Sequence, residues 1–170
     1  SDAGSWAISS ASDKADEAKE VEARIKKIDL SIKPKPYAGR KGKSDRAVLV
    51  ELFTGVRSQT CVAADLAFDA LGKSYNPSQV VLLEYHLHVT GPDPLTSPDS
   101  MKRLEDYYAN QVRGAPTIFI GGKLGPAGGG PASAAEGKYT AFRKQIEEGL
   151  EKPAGVKLEL GLAKGRAQNG

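Results

Sequence analysis

Apolar residues follow two rhythms along this chain. Arg46-Ala47-Val48-Leu49-Val50-Glu51-Leu52-Phe53 is a nearly unbroken apolar run, as in a strand covered on both faces. Gln79 to His88, rich in Val and Leu, predicts a second buried strand. Between them, Ser58 to about Leu71 reads as a helix closed by Gly72, since glycine tolerates the backbone at a helix end. Strand, helix and strand at this spacing imply a right-handed parallel crossover.

The second half changes rhythm. Gly91-Pro92-Asp93-Pro94 predicts an irregular loop, and Ser97-Pro98 can cap and start a helix running to about Val112. Thr117 to Ile120 is a short strand, and Gly121-Gly122 a hairpin turn into the next. Ser133-Ala134-Ala135-Glu136 has the form of a capping box. The helix it opens carries Tyr139, Phe142, Ile146 and Leu150 on one face. The order is β-α-β-α-β-β-α, an α/β class with a mixed central sheet and helices on both faces.

The flanks are different. Residues 1–11 read as disordered or tag-like, and Ser12 to Ile28 as a lightly amphipathic helix with Ala18, Val21, Ile25 and Ile28 on one side. Lys33-Pro34-Lys35-Pro36 is extended, and Gly39-Arg40-Lys41-Gly42-Lys43 is a flexible basic link. The expected domains are therefore an N-terminal helix and linker (1–43), a core domain (44–152) and a C-terminal strand or tail (153–170). Val156 to Leu162 alternates apolar and polar residues and reads as the first strand of a following β-domain. The chain starts without Met, and its polar opening lacks the apolar region of a signal peptide. It reads as a processed form or a piece of something longer.

Composition narrows the chemistry. A core of about 110–120 residues buries roughly two-thirds of its unfolded surface and needs no disulfide staples. The 170 residues hold one cysteine, Cys61, so no internal disulfide can form. A net charge of +3 is neutral on acidic partners. The basic stretch from Lys26 to Arg46 has only Tyr37 to stack on bases, so it reads as a solvated link and no nucleic acid is expected. No apolar run approaches the roughly 20 residues that cross a bilayer, so no membrane span is expected. Gly125 to Gly130 lacks the Lys-Ser/Thr of a phosphate loop and reads as a mobile loop.

Two stretches carry the candidate chemistry. One is Val112-Arg113-Gly114-Ala115-Pro116-Thr117, followed by Gly122-Lys123. The other runs from Glu51-Leu52-Phe53-Thr54 through Ser58-Gln59-Thr60-Cys61 to Ala64-Asp65. The first resembles the thioredoxin segment that sets a cis-proline before an antiparallel strand, and the second the strand-to-helix turn that bears Cys-x-x-Cys. The Glu-Leu-Phe-Thr lead-in, the later Ala-Asp and Tyr85-His86-Leu87-His88-Val89 are similar to a family of exported bacterial thioredoxin-like proteins of unknown function. The resemblance spans roughly Arg46 to Leu150. It implies a thioredoxin-like fold, an exported (periplasmic or envelope) location, and thiol, disulfide or peptide substrates. It also implies catalytic positions at Ser58, Cys61 and Pro116, a substrate-pairing backbone at Ala115 and Thr117, and no cofactor. A monomer is expected.

One departure decides the expected mechanism. In Cys-x-x-Cys proteins the first cysteine sits at the helix N-terminus, where the dipole favours its thiolate. The second resolves the mixed disulfide. Here the first position is Ser58. A neutral hydroxyl does not attack a disulfide, so the chain is expected to be inactive as an oxidoreductase as it stands. Ser58 is either an engineered replacement or a natural retirement of the site, and serine also makes a good N-cap. The alternatives are a redox-inert binding module that keeps the peptide groove, with Cys61 a small buried apolar residue, and a metal-handling protein joining Cys61 to His86 or His88.

Overall fold

A computed structural model describes residues 32–156. The amphipathic segment Ser12–Ile28 and, beyond Val156, the alternating tail lie outside the described residues. The elements are β1 (Val48–Thr54), a 3-10 turn (Gln59–Cys61), α1 (Val62–Gly72), β2 (Val80–His86), α2 (Pro98–Arg103), β3 (Thr117–Ile120), β4 (Lys123–Leu124) and α3 (Ala135–Leu150). Among the described residues they form a four-stranded sheet in the order β2-β1-β3-β4. β2 runs parallel to β1, from Val48 opposite Val80 to Thr54 opposite His86. β3 and β4 run antiparallel to their neighbours. The chain is thus a mixed α/β protein with the expected element order.

Alternation along β1 sorts its side chains to opposite faces. Val48, Val50 and Leu52 join Ile118 and Ile120 under α1 and α3 in an apolar core that includes Phe68, Leu71, Phe142 and Ile146. Phe53 and Phe119 join Tyr108, Leu87 and the partly buried Tyr85 on the other face. Glu51, also on that face, is fully buried. No helix among the described residues is long and apolar enough to cross a membrane.

Four expectations are corrected. β2 is not buried on both faces: it is the outer strand on its side of the described sheet, and Val81 and Leu83 stay about 40% exposed. Among the described residues the strand has one neighbour and only the short α2 on that side, which leaves these outer residues uncovered. Second, the compact unit starts at Ile32 rather than residue 44. Ile32 is in the apolar core, and the strap that follows is pinned by hydrogen bonds from Tyr37 N to Ser74 O and from Lys35 N to the Tyr139 hydroxyl, each 2.8 Å. Glu151 accepts from the amides of Lys41 and Gly42, so the glycine-rich basic stretch is held to the end of α3.

Third, Ser133 and Glu136 form no capping box, because a 3-10 turn over Ala132–Ala134 leads into α3 and no side chain caps it. Fourth, the helix begun at Pro98 changes to a wider π turn over Leu104–Tyr108. That turn carries Tyr108, whose hydroxyl lies 2.6 Å from Glu51. Ser97 does cap α2, accepting from Ser100 N at 3.1 Å. Gly121 and Gly122 both take positive φ in the hairpin turn.

Candidate functional site

The parallel β1–β2 pair ends at Thr54 and His86, and the chain leaving β1 must turn there to enter α1. Gly55-Val56-Arg57 makes that turn, closed by Ser58 N donating to Gly55 O at 3.0 Å. Cys61 N then donates to Ser58 O at 3.0 Å and starts the 3-10 turn. Three residues of tight helix bring positions 58 and 61 to one side. Cys61 Sγ donates to Ser58 Oγ at 2.9 Å. Cys61 is 0% exposed and Ser58 8%. The serine does not cap the helix; its hydroxyl is taken by Cys61 and by Thr60 Oγ1, also at 2.9 Å.

The second stretch approaches from the sheet. Thr117 lies opposite Phe53 in the β1–β3 register, which brings the chain before it to the end of β1 near the Ser58 turn. The Ala115–Pro116 bond is cis. Thr60 Oγ1 is 3.5 Å from Ala115 O, a long contact that leaves this carbonyl largely free. Thr117 turns its hydroxyl back to Gly114 O at 2.6 Å. Ser58, Cys61, Ala115 and Thr117 are thus gathered at the N-terminal end of α1.

The glycine-rich loop, expected to be mobile, is fastened to the same place. Gly130 N donates to Thr60 O at 2.9 Å, and Ala63 N donates to Gly130 O at 3.1 Å. The loop carbonyl thereby satisfies one of the free amides at the start of α1. A Cβ at Gly128 would stand 3.1 Å from the Ala64 Cβ and 3.5 Å from the Pro116 ring, so the backbone passes between them only without a side chain. The loop thus packs closely against both Pro116 and the first turn of α1.

The opposite flank is polar. Thr54 Oγ1 donates to Asp65 Oδ1 at 2.6 Å. Burial raises the Asp65 carboxyl above its ordinary value, the Thr54 hydroxyl opposes this, Glu84 adds to it and His86 subtracts. His86 presents one ring nitrogen to Glu84 and the other to Asp93, each at 3.2 Å. Both contacts are hydrogen bonds only when the ring carries two protons. His88 Nδ1 accepts from Asp93 N at 3.2 Å. Both histidines are therefore engaged away from Cys61. Among the described residues no group of three His, Cys, Asp or Glu side chains could hold a metal ion.

Three acidic residues given no role in the sequence reading organise this end of the molecule: Asp93, Asp65 and Glu51. An aspartate among glycine and prolines just past a strand end is a turn signal, and Asp93 could have been singled out on that ground. Glu51 interrupts an otherwise apolar run. On the far face it accepts from Arg103 Nε at 2.7 Å and from the Tyr108 hydroxyl. Burial and Glu51 together push the Tyr108 phenol up to about 12.

A groove of about 710 Å³ lies elsewhere, between the N-terminal strap and α3, lined by Lys35, Tyr37, Tyr139, Arg143 and Glu147 among others. None of Ser58, Cys61 and Pro116 lines it. Arg143 donates to Glu147 and to Lys35 O, and Tyr139 meets Ser74. These bonds tie the strap to α3 across the groove.

No family model and no curated protein matches the chain. A crystal structure of a protein from Agrobacterium tumefaciens is similar over 62% of this chain, at 23% identity and a TM-score of 0.39. The match covers 49% of that protein, so the chain spans about half of its length.

Proposed function

We propose that the chain is a thioredoxin-like domain that recognises thiol, disulfide or peptide segments of other proteins beside Ser58, Cys61 and Pro116. In this reading it belongs with the exported thioredoxin-like proteins its motifs resemble, and acts in the periplasm or cell envelope. The observation that carries it is the 2.9 Å approach of Ser58 Oγ to Cys61 Sγ at the start of α1. A sulfur at position 58 would need to close to about 2.05 Å to make a disulfide, a shift of under an ångström or so. Ala115, ahead of Pro116, supplies the carbonyl and Thr117 the strand end that an extended peptide would pair with.

As it stands the chain lacks the attacking thiolate. Cys61 is buried and is the sole sulfur nucleophile, and thiol–disulfide exchange needs an accessible one. Disulfide reductase activity of the unaltered chain should be at background. Ser58→Cys should form a 58–61 disulfide in air, seen as a loss of two mass units and of two titratable thiols, and, with dithiothreitol returning it to the dithiol, should speed insulin reduction above the dithiothreitol background. If the disulfide forms and insulin reduction stays at background, the redox reading fails.

One observation favours the redox-inert binding module as second reading. The Ser58 hydroxyl has two good partners, Cys61 Sγ and Thr60 Oγ1, so a serine is well accommodated there. The residue encoded at position 58 by the gene separates the readings: cysteine supports the first, serine the second.

A further inference from the structure

Asp93 lies outside both recognised motifs, yet its carboxylate binds the turn that delivers position 58. Its side chain is about 1% exposed. Oδ2 accepts from Val56 N at 2.8 Å, in the middle of the Gly55-Val56-Arg57 turn. Oδ1 accepts from Leu95 N at 2.8 Å, and His86 Nδ1 stands 3.2 Å from Oδ2. The Asp93 amide donates to His88 Nδ1. One side chain thus ties together the active-site turn, the end of β2 and the loop before α2.

The surrounding backbone is shaped to bring it there. Thr90 and Gly91 take positive φ, at 59° and 126°. Left-handed backbone costs energy at a threonine, and it reverses the chain so that Asp93 returns to the turn. A Cβ on Gly55 would lie 3.2 Å from the Val89 side chain and 3.3 Å from Leu87 O, so the turn and the loop are in direct contact. Leu87 N donates to Thr54 O at 2.9 Å and continues the β1–β2 pairing one step past the strand.

We infer that Asp93 is a positioning residue: it fixes the Gly55-Val56-Arg57 turn and, through it, sets where position 58 stands over Cys61. A carboxylate accepting a backbone amide is stronger than a neutral acceptor, so this bond is the strongest hold on a turn otherwise tied by the Ser58–Gly55 hydrogen bond and a long 3.4 Å bond from the Thr90 hydroxyl to Arg57 O. The inference deepens the groove reading above and rests on it only for the chemical consequence at position 58. The mechanical part stands on the unaltered chain.

The test uses Asp93→Ala and Asp93→Asn in the full chain, with Asp69→Ala, an exposed helix residue, as control. Amide exchange at Val56 should quicken about tenfold or more in Asp93→Ala, the scale on which losing a charge-assisted bond shifts a local opening. Cys61 alkylation should quicken alongside. Val50 and Leu52 amides in β1 should keep their protection, and Asp93→Asn, which retains one acceptor, should fall between. Unchanged Val56 exchange overturns the inference. So does equal acceleration of Val56, Val50 and Leu52, which would report global destabilisation.

The second arm adds Asp93→Asn to Ser58→Cys and measures the equilibrium of the 58–61 dithiol with glutathione. A positioning role should move that constant by about threefold or more, whereas loss of stability alone leaves it in place. An unmoved constant alongside an intact disulfide overturns the inference. If Ser58→Cys forms no disulfide, the redox reading falls and the exchange of Val56 in the unaltered background still decides the role of Asp93.

Discussion

The two faces of the sheet are built on opposite principles. Under α1 and α3, Val48, Val50, Leu52, Ile118 and Ile120 meet Phe142 and Ile146 in a core without charge. On the other face Glu51 lies fully buried, joined to Arg103 and Tyr108, in a ring of Phe53, Tyr85 and Phe119. Tyr108 stacks on Phe119 with ring centres 4.0 Å apart, and the Arg103 guanidinium lies 4.1 Å over the exposed Tyr107 ring. Nonpolar contact is strong and undirected. A buried carboxylate with two fixed donors adds little net stability but admits few arrangements. The apolar face holds the domain together, and the polar face holds a short helix and its π turn in one place.

The largest expected effect breaks the apolar face. Phe142→Ala removes a fully buried ring from the middle of α3 and should cost about 3–5 kcal/mol. Urea unfolding should show a lower midpoint with an unchanged slope. Breaking the polar face should cost less. Glu51→Ala strands the Tyr108 hydroxyl and frees Arg103, but Arg103 is partly exposed and can turn to water, so the loss should be about 2 kcal/mol. The difference should show in where the damage appears: in Glu51→Ala the amides of α2 and the π turn should exchange faster while those of α3 keep their protection. Equal loosening on both faces would count against the division.

The apolar face was the more legible in sequence for the same reason. Period-two and period-3.6 patterns encode which residues face a core, so β1, β3 and the Tyr139-Phe142-Ile146-Leu150 face of α3 are readable directly. Pairing between polar groups has no period. Nothing in the spacing of Glu51, Arg103 and Tyr108 announces that they meet, nor that Asp93 returns to Val56. The exposure of β2 is not legible, because a Val- and Leu-rich run looks the same at a sheet edge as at its centre. The strap from Ile32 reads as linker because Lys, Pro and Gly dominate it, yet Ile32 packs into the core and backbone hydrogen bonds, which leave no trace in composition, pin the rest. At the site, the meeting of positions 58 and 61 follows from their spacing. The partners that satisfy the Ser58 hydroxyl do not.

Between the two faces stands the turn that holds position 58, and substitution there should be mild. Ser58→Cys exchanges an oxygen for a sulfur 2.9 Å from Cys61 Sγ, so under reducing conditions it should change stability by less than about 1 kcal/mol. Thermal unfolding of the reduced protein checks this. A larger loss would mean that the hydroxyl bonds to Thr60 and Cys61 matter more to the turn than their exposure suggests.

The smallest effect sharpens the comparison by setting Asp65 beside Glu51. Glu51 has a guanidinium to face; Asp65, at the start of α1 on the apolar side, has the Thr54 hydroxyl. Burial therefore raises the Asp65 carboxyl above its ordinary 3.8. A carboxyl raised on folding binds its proton more tightly in the folded state. Its contribution to stability is then most favourable below about pH 3.8 and declines as pH rises through the higher folded value. Asp65→Asn removes this decline. The stability of the variant relative to the unaltered chain should improve from acid pH to neutrality, by a small amount because water still reaches the group. Urea titrations of both proteins at a series of pH values isolate the difference, since every other carboxylate is common to the pair. A relative stability that falls towards neutrality would show that the Thr54 hydrogen bond outweighs burial and that Asp65 belongs with the satisfied carboxylates.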